Sequence, residues 1–228
     1  MSPRIAATIP AYQAAPSVGD VVRGTFQIIP EVLVIDDGST DGTAEAARQA
    51  GARVLSHPAN HGKGTALATA FRDLFGRGFD GVITLDADGQ HLPGEIPKLL
   101  AVLGDGSGGD LILGVRDHLF GEMSRVRRLS NRLSSKAISL AAGQELSDIQ
   151  TGFRYYSRRL FEGVGFPEAR FEAESAVVVR AARRGFKVVT VPVRLGFADG
   201  RLTSHYRPLL DSLRIAGAVT RARLEMLR

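Results

Sequence analysis

The sequence contains no cysteine and no apolar run long enough to cross a membrane. Without cysteine, the 228 residues can form no disulfide bond, thiolate metal site or cysteine nucleophile. Spanning a bilayer takes roughly 18 consecutive apolar residues, and no segment approaches that length. The first residues also lack the apolar core of a signal peptide. We therefore expect a cytoplasmic chain without a transmembrane helix.

Acidic residues are scarce in the second half of the chain. The net charge of +5 divides into 8 basic and 13 acidic residues over 1–114, and 21 basic and 11 acidic residues over 115–228. Of the 29 cationic residues, 25 are arginine, which suits paired hydrogen bonds to phosphate. This asymmetry favours a phosphate-rich or membrane partner for the second half.

The order of apolar segments predicts one α/β domain with a doubly wound, mostly parallel sheet and helices on both faces. Its two halves are residues 1–115 and 116–228. Strands are predicted at Ile5–Ile9, Glu31–Ile35, Arg53–Ser56, Gly81–Leu85, Leu111–Leu113, Gly152–Tyr156 and Lys187–Val193. Helices are predicted at Val18–Phe26, Thr40–Ala50, Gly64–Phe75, Glu95–Leu103, Glu122–Ala142, Phe171–Arg184 and Tyr206–Leu227. Ligands of such sheets bind at the carboxyl ends of the strands.

Two of these strand ends are acidic. Asp36 and Asp37 follow the second strand, where a turn role and a ligand role for Asp37 are equally supported. Asp86 and Asp88 follow the fourth strand, and two carboxylates at this spacing reach one hard divalent cation such as Mg²⁺ or Mn²⁺. Gln90 adds a third oxygen. The alternative, a solvated acidic loop, is the weaker interpretation at this position.

Cationic and polar groups lie at other predicted loops. Lys63 stands in a glycine-rich helix entry, which is a general anion site, although an exposed lysine with no ligand is an equally good interpretation. Arg116 follows the fifth strand. The segment 148–154 combines an acid, an amide, a hydroxyl and a cation. Basic residues also repeat along the helices predicted at 122–142 and 206–227, a pattern typical of anionic surfaces or of an ordinary solvated face.

Seven segments, in order, resemble glycosyltransferase family 2, and within it the dolichyl/polyprenyl-phosphate mannose synthase-like branch. They are Pro10–Tyr12, Val34–Thr43, Asn60–Gly64, Asp86–His91, Gly114–Arg116, Asp148–Arg154 and Phe171–Glu174. They extend over roughly residues 5–206. The resemblance implies a GT-A fold, an inverting hexosyltransferase and a nucleotide-diphosphate sugar donor linked to GDP or UDP. It also implies a polyprenyl-phosphate acceptor, Mg²⁺ or Mn²⁺ as cofactor and no nucleic-acid partner.

The resemblance assigns roles to residues by position in these motifs. Donor contacts are implied for Pro10, Tyr12, Ile35, Asp37, Lys63, Asp86, Ala87, Arg116, Arg201 and His205. Metal ligands are implied at Asp86, Asp88 and Gln90, and catalytic roles at Asp88 and Arg116, with Asp148 as the base if the acceptor is a hydroxyl. In the family the acceptor-phosphate contacts lie on the helix predicted at 122–142, where the register is open by one residue and Arg127, Arg128 and Ser130 are all candidates. Arg154, in the polar segment 148–154, is a further candidate.

One departure from the family pattern leaves an alternative function open. The family's Asn-Glu after Pro-x-Tyr is replaced by Gln13-Ala14, which removes a carboxylate near the nucleotide. A non-catalytic nucleotide-sugar-binding module that supports a partner enzyme is therefore the alternative. A receiver-like phosphoacceptor domain would also explain the paired aspartates, but it would leave the basic half without a role. We expect the protein to lie in the cytoplasm and to touch the inner face of the membrane.

Overall fold

The computed structural model describes residues 3–104, 108–115, 135, 138–146, 149, 151–196 and 208–225. Seven strands form one sheet: β1 Ile5–Ala11, β2 Val32–Asp36, β3 Arg53–Ser56, β4 Gly81–Thr84, β5 Leu111–Val115, β6 Arg154–Ser157 and β7 Val188–Pro192. Their spatial order is β3-β2-β1-β4-β6-β5-β7, and β6 alone runs antiparallel to its neighbours. The predicted α/β sheet, mostly parallel and covered by helices, is confirmed.

Helices connect these strands. Their bounds are α1 Ala15–Phe26, α2 Thr43–Gln49, α3 Lys63–Gly76, α4 Ile96–Gly104, α5 Arg158–Val164, α6 Glu172–Arg183 and α7 Pro208–Leu224. A short 3₁₀ turn, Pro93–Glu95, precedes α4. Residues 138–142 are also helical, and the rest of the helix predicted at 122–142 lies outside the described residues, apart from position 135.

The sheet is buried on both faces. Leu33 and Ile35 of β2 face a core formed with α3 and α6, while Val32 and Val34 face a second core formed with α1. Since side chains alternate along a strand, a strand covered on both sides is apolar at every position. This is why the run Glu31–Ile35 predicted a central parallel strand.

Several predicted element boundaries differ from the structure, and one helix was not predicted. Helix α2 begins at Thr43 instead of Thr40, because Asp41 accepts hydrogen bonds from the backbone N–H and hydroxyl of Thr43 and holds the preceding turn. The 3₁₀ turn at 93–95 includes Glu95, so α4 extends over Ile96–Gly104 instead of the predicted Glu95–Leu103. Helix α5 was not predicted; Ser157 begins it by accepting a hydrogen bond from Leu160 N–H at 3.1 Å.

Candidate active site at the carboxyl ends of the strands

The carboxyl ends of the parallel strands meet at one edge of the sheet. Asp36 ends β2, Lys63 follows β3, and Asp86 follows β4. Because β6 is antiparallel, its beginning lies beside the end of β4, with Thr84 opposite Arg154. Gly152 therefore reaches the same edge, and its carbonyl accepts a hydrogen bond from the Thr84 hydroxyl at 2.7 Å.

The carboxylate of Asp37 binds the loop that follows β3. It is 3% exposed and accepts hydrogen bonds from the backbone N–H of His61 at 3.0 Å and of Gly62 at 2.7 Å. The Nδ1 atom of His57 lies 2.7 Å from the same carboxylate. Asp37 therefore fixes the path of the chain into Lys63, the first residue of α3.

The loop after β1 is bound to the loop after β2. The backbone N–H of Gln13 donates to the Ser39 hydroxyl at 2.9 Å, and that of Ala14 donates to the Thr43 hydroxyl at 2.8 Å. The Gln13 amide also bonds the Thr40 hydroxyl at 3.0 Å. Gln13 adopts a positive φ of 51°, and these contacts hold it there. The residues that replace the family's Asn-Glu thus tie two strand-end loops together.

The acidic end of β4 keeps its carboxylates partly open. The Asp86 side chain is 30% exposed, and Asp88 is partly exposed, with one oxygen accepting from Gln90 N–H at 2.9 Å. Burial raises the pKa of Asp88 above its ordinary value, and the negative charge of Asp86 raises it further. Two repelling carboxylates on one loop favour a divalent cation, which would relieve the repulsion.

Lys63 joins this loop to a helix from the other half of the chain. Its Nζ lies 2.6 Å from an Asp86 oxygen and 3.0 Å from a Glu174 oxygen on α6. Burial alone would lower the pKa of Lys63, but the two carboxylates outweigh it and the pKa is raised. Lys63 therefore carries a permanent positive charge beside Asp86.

His91 holds the backbone of Asp86 in place through a hydrogen bond. Its Nδ1 atom accepts a hydrogen bond from the Asp86 backbone N–H at 3.1 Å, and its buried ring stacks on Phe153 with 5.7 Å between centroids. The segment that follows β7 also pairs with this loop, since Leu195 forms a β-bridge with His91 and Gly196 N–H donates to the Gln90 carbonyl at 2.9 Å. The loop is thus held on two sides.

Comparison with known proteins agrees with this arrangement. Residues 7–165 match the model of Glycosyl transferase family 2. The chain belongs to glycosyl transferase family 2. It is 35% identical over 80% of its length to the glycosyltransferase AglJ of Haloferax volcanii, although the match spans only 60% of AglJ. It is 29% identical to the undecaprenyl-phosphate mannosyltransferase of Micrococcus luteus, over 83% of this chain and 82% of that protein.

A solved structure shares the fold of this glycosyltransferase. Glucosyl-3-phosphoglycerate synthase from Mycobacterium tuberculosis, crystallised with Mn²⁺, uridine diphosphate and phosphoglyceric acid, superposes with a TM-score of 0.73 at 24% identity. The match covers 99% of this chain and 78% of the synthase. The predicted family, its synthase-like branch and its GT-A fold are therefore confirmed, as is the expectation of a glycosyltransferase.

The structure brings several of the predicted site residues together. Lys63, Asp86 and Asp88 form one charged cluster with Ala87 and Gln90 on the same loop. The Ala87 carbonyl accepts from the Ser17 hydroxyl at 2.7 Å, which joins this loop to α1. Partly exposed Pro10 and Tyr12 lie at the end of the neighbouring strand β1.

Two predicted contacts disagree with the structure. Ile35 is fully buried in the core, so its side chain has no access to a nucleotide. Arg154 is also fully buried, and its guanidinium donates to the carbonyls of Ile149, Thr151 and Glu174 at 2.5–2.7 Å. Arg154 ties the segment before β6 to the first turn of α6, and its buried guanidinium disagrees with the acceptor-phosphate contact predicted for it.

The remaining predicted site residues lie outside the described residues. They are Arg116, Arg127, Arg128, Ser130, Asp148, Arg201 and His205. Their roles stay predictions.

Two residues that contact the predicted site residues had no role predicted from sequence. Glu174 belonged to a recognised motif, yet only its ion pair with Lys63 shows what it contacts. His57 had no signal beyond its place after β3, and its ring bridges Asp37 and the Thr69 hydroxyl, 3.1 Å away. In both cases the partner is distant in sequence, so local pattern could not reveal it.

A cavity of about 580 Å³ lies elsewhere, between α6 and α7. Its lining includes Glu172, Arg180, Arg214 and Arg221 and none of the described residues of the strand-end cluster. Arg180, at its wall, pairs with Glu168 and Glu225 and thereby ties α6 to α7. Among the described residues, no helix is long and apolar enough to span a membrane.

Proposed function

We propose that this glycosyltransferase moves a sugar from a nucleotide-diphosphate donor to a polyprenyl phosphate, with inversion at the anomeric carbon. The observation that carries the proposal is the charged cluster of Asp86, Asp88 and Lys63 at the carboxyl ends of the strands. The Micrococcus luteus relative, an undecaprenyl-phosphate mannosyltransferase, supports the acceptor class. The uridine diphosphate in the solved synthase structure supports the donor class.

The residues of the cluster fit a divalent cation. Asp86 and Asp88 offer carboxylate oxygens, the ligand type that Mg²⁺ and Mn²⁺ prefer. Burial and the charge of Asp86 raise the pKa of Asp88, a repulsion that a cation between the two carboxylates would relieve. No group of three acidic or histidine side chains suited to a metal occurs in the described part of the chain. We propose that Asp86, Asp88 and Gln90 hold the ion together with the donor's phosphate oxygens. The ion would offset the negative charge that develops on the leaving diphosphate.

Lys63 supplies the fixed positive charge of this site. The Lys63 side chain is 14% exposed and its ammonium group lies against Asp86, so the charge acts in a medium where charge interactions are stronger than in water. We propose that it adds electrostatic stabilisation to the departing diphosphate, and that Arg116 and His205 contribute from segments outside the described residues.

The acceptor would be bound by the basic half of the chain. A phosphate acceptor is already anionic and needs no general base, whereas a hydroxyl acceptor would need one, for which Asp148 is the candidate. We propose Arg127, Arg128 and Ser130 as its contacts. The exposed Arg214 and Arg221 of α7 would contribute to a peripheral contact with anionic lipid at the inner face of the membrane.

The test is sugar transfer to polyprenyl phosphate in vesicles, with GDP- and UDP-linked sugars offered in turn. We expect turnover with one of the donors, and that turnover should require Mg²⁺ or Mn²⁺. The Asp88→Ala variant should lose it. Thermal shift with each nucleotide diphosphate, with and without metal, identifies the nucleobase of the donor independently, because a ligand that binds only the folded state raises Tm.

The outcomes separate the proposal from its alternative. Full activity in Asp88→Ala would remove the metal role. Nucleotide-dependent stabilisation without turnover on any acceptor would favour a binding module. Transfer to a hydroxyl acceptor but not to a lipid phosphate would overturn the acceptor class, and loss of that transfer in Asp148→Asn would identify the base.

A further inference from the structure

We infer that Glu174 is a positioning residue, which holds the Lys63 ammonium between two carboxylates and so keeps Asp86 available to a divalent cation. The inference rests on the proposed function, because it concerns the metal loop of that site. It adds a residue from the second half of the chain, on α6, to which sequence analysis assigned no role.

The first step is the geometry of the shared ammonium. Lys63 Nζ is 2.6 Å from Asp86 and 3.0 Å from Glu174. The Glu174 side chain is 7% exposed and that of Lys63 is 14% exposed, whereas that of Asp86 is 30% exposed. Glu174 thus holds the ammonium from the protein side, and Asp86 meets it from the open side. A positive charge shared in this way neutralises only part of the Asp86 charge.

The second step is the rigidity of the contact. A Cβ atom at Gly64 would lie 2.2 Å from the Glu168 carbonyl oxygen and 2.8 Å from the Ala173 Cβ. The start of α3 therefore packs directly against the chain that enters α6. The Thr65 N–H also donates to the Ala169 carbonyl at 3.0 Å. The backbones that carry Lys63 and Glu174 cannot move apart without breaking this packing.

The third step is the anchoring of both partners. Arg154 donates to the Glu174 carbonyl at 2.6 Å and fixes the first turn of α6. Asp37 fixes the loop that leads into Lys63 through the backbone N–H groups of His61 and Gly62. Because both backbones are fixed, the carboxylate of Glu174 decides where the flexible end of Lys63 lies.

The expected consequence follows from charge sharing. Without the Glu174 charge, the ammonium would pair with Asp86 alone and compete directly with a cation for its oxygens. Residues behind a metal ligand typically change metal affinity by about 10-fold when replaced. We therefore expect Glu174→Gln to weaken Mn²⁺ binding by about 10-fold, with the nucleotide diphosphate present at saturation.

The experiment is a direct Mn²⁺ titration, followed by the electron paramagnetic resonance signal of free Mn²⁺, on the full chain. The matched control is Glu172→Gln, which removes a carboxylate two residues earlier on α6 that does not pair with Lys63 among the described contacts. We expect the control to bind Mn²⁺ like the wild type. Equal affinities of Glu174→Gln and wild type would overturn the inference.

A double-mutant cycle distinguishes positioning from a merely structural role. If Glu174 acts through Lys63, Glu174→Gln has no further effect on Mn²⁺ affinity in a Lys63→Met background. Equal losses in both backgrounds would overturn the inference. Should Glu174→Gln not fold, Glu174→Asp serves in its place. The aspartate keeps the negative charge, but its shorter side chain places the carboxylate farther from Lys63, so we expect weaker Mn²⁺ binding. Unchanged Mn²⁺ affinity in Glu174→Asp would count against the inference.

The same titration separates this inference from the proposed function. If the wild type and Asp88→Ala bind Mn²⁺ equally weakly, the metal site itself fails, and the inference fails with it. If the wild type binds Mn²⁺ and Asp88→Ala does not, the site holds, and the Glu174 variants alone decide the inference.

Discussion

The two acidic strand ends of this glycosyltransferase have similar sequences and different chemistry. After β2, the Asp37 carboxylate is buried and accepts two backbone N–H groups, with His57 beside it. After β4, Asp86 and Asp88 are partly exposed and face a lysine. The difference teaches that similar acidic strand ends are told apart by burial: both Asp37 oxygens are used by backbone N–H groups, whereas Asp86 and Asp88 keep partly exposed oxygens.

The largest expected effect tests the acidic end of β4, called the open end here because Asp86 and Asp88 are partly exposed. Asp88→Asn removes a charge that would hold the cation, so we expect kcat/KM to fall by about 100-fold or more. Urea unfolding of the same variant should show stability equal to or above that of the wild type. A variant that keeps its activity, or that is strongly destabilised, would erase the distinction between the two strand ends.

The second prediction tests the acidic end of β2, called the committed end here because Asp37 is buried and bound to backbone N–H groups. Asp37→Asn replaces a carboxylate that accepts two backbone N–H groups by an amide with one acceptor oxygen. We expect the free energy of unfolding to fall by about 2–3 kcal/mol, since hydrogen bonds to charged groups contribute more than neutral ones. Urea denaturation measures it beside Asp88→Asn as the matched comparison. A loss for Asp37→Asn no larger than that for Asp88→Asn would contradict the assignment.

The third prediction concerns Gly152, which lies just before β6 and close to the Asp86–Lys63 pair of the open end. A Cβ at Gly152 would lie 2.5 Å from both Asp86 carboxylate oxygens and 2.7 Å from Lys63 Nζ. We expect Gly152→Ala to displace these side chains and to weaken Mn²⁺-dependent nucleotide binding by about 10-fold.

Gly94→Ala is the control for this substitution, because a Cβ at Gly94 meets no atom within 4 Å. Isothermal titration of the nucleotide diphosphate with Mn²⁺ measures both variants. Wild-type binding by Gly152→Ala would show that the Asp86–Lys63 pair tolerates displacement, and the open end would then be less sharply defined than the committed one.

The smallest expected effect is a pH dependence of stability in the metal-free protein. Because burial and Asp86 raise the pKa of Asp88 in the folded state, the folded state binds more protons than the unfolded one between the two pKa values. The Asp88 contribution to stability is therefore lost as the pH rises from the unfolded pKa through the raised folded pKa.

Comparison with the neutral variant isolates this contribution. At pH 7 Asp88→Asn should be the more stable protein, by less than about 1 kcal/mol because the site is partly solvated. The difference should shrink as the pH falls toward the ordinary aspartate pKa of 3.8. Thermal unfolding of both proteins across this range measures it, and a difference that grows on acidification would contradict the sign.

Much of the fold could be predicted from local pattern. The apolar run ending at Ile35 predicted a strand buried on both faces, and the acidic, glycine-rich segments after β2 and β4 predicted which edge of the sheet carries polar groups. These features depend on residues close in sequence, because strand burial and turn formation are decided within a few positions. The same local reasoning placed Lys63 at a helix entry beside that edge.

The contacts of individual side chains could not be predicted from local pattern. Arg154 was predicted to bind phosphate, yet it is buried among carbonyl groups because β6 enters the sheet antiparallel between β4 and β5. Whether Asp37 served a turn or a ligand was undecided, because its partners on the 57–62 loop are about 20 residues away.

By itself, the sequence determined the parallel α/β order, the family and the two acidic strand ends of this protein. The tertiary structure alone decided which carboxylate is consumed by backbone hydrogen bonds and which stays open. It also decided that Glu174, more than 80 residues beyond Asp86, shares the Lys63 ammonium with it. The physical reason is that hydrogen-bond and charge satisfaction depend on which groups meet in space, and local pattern does not contain those long-range contacts.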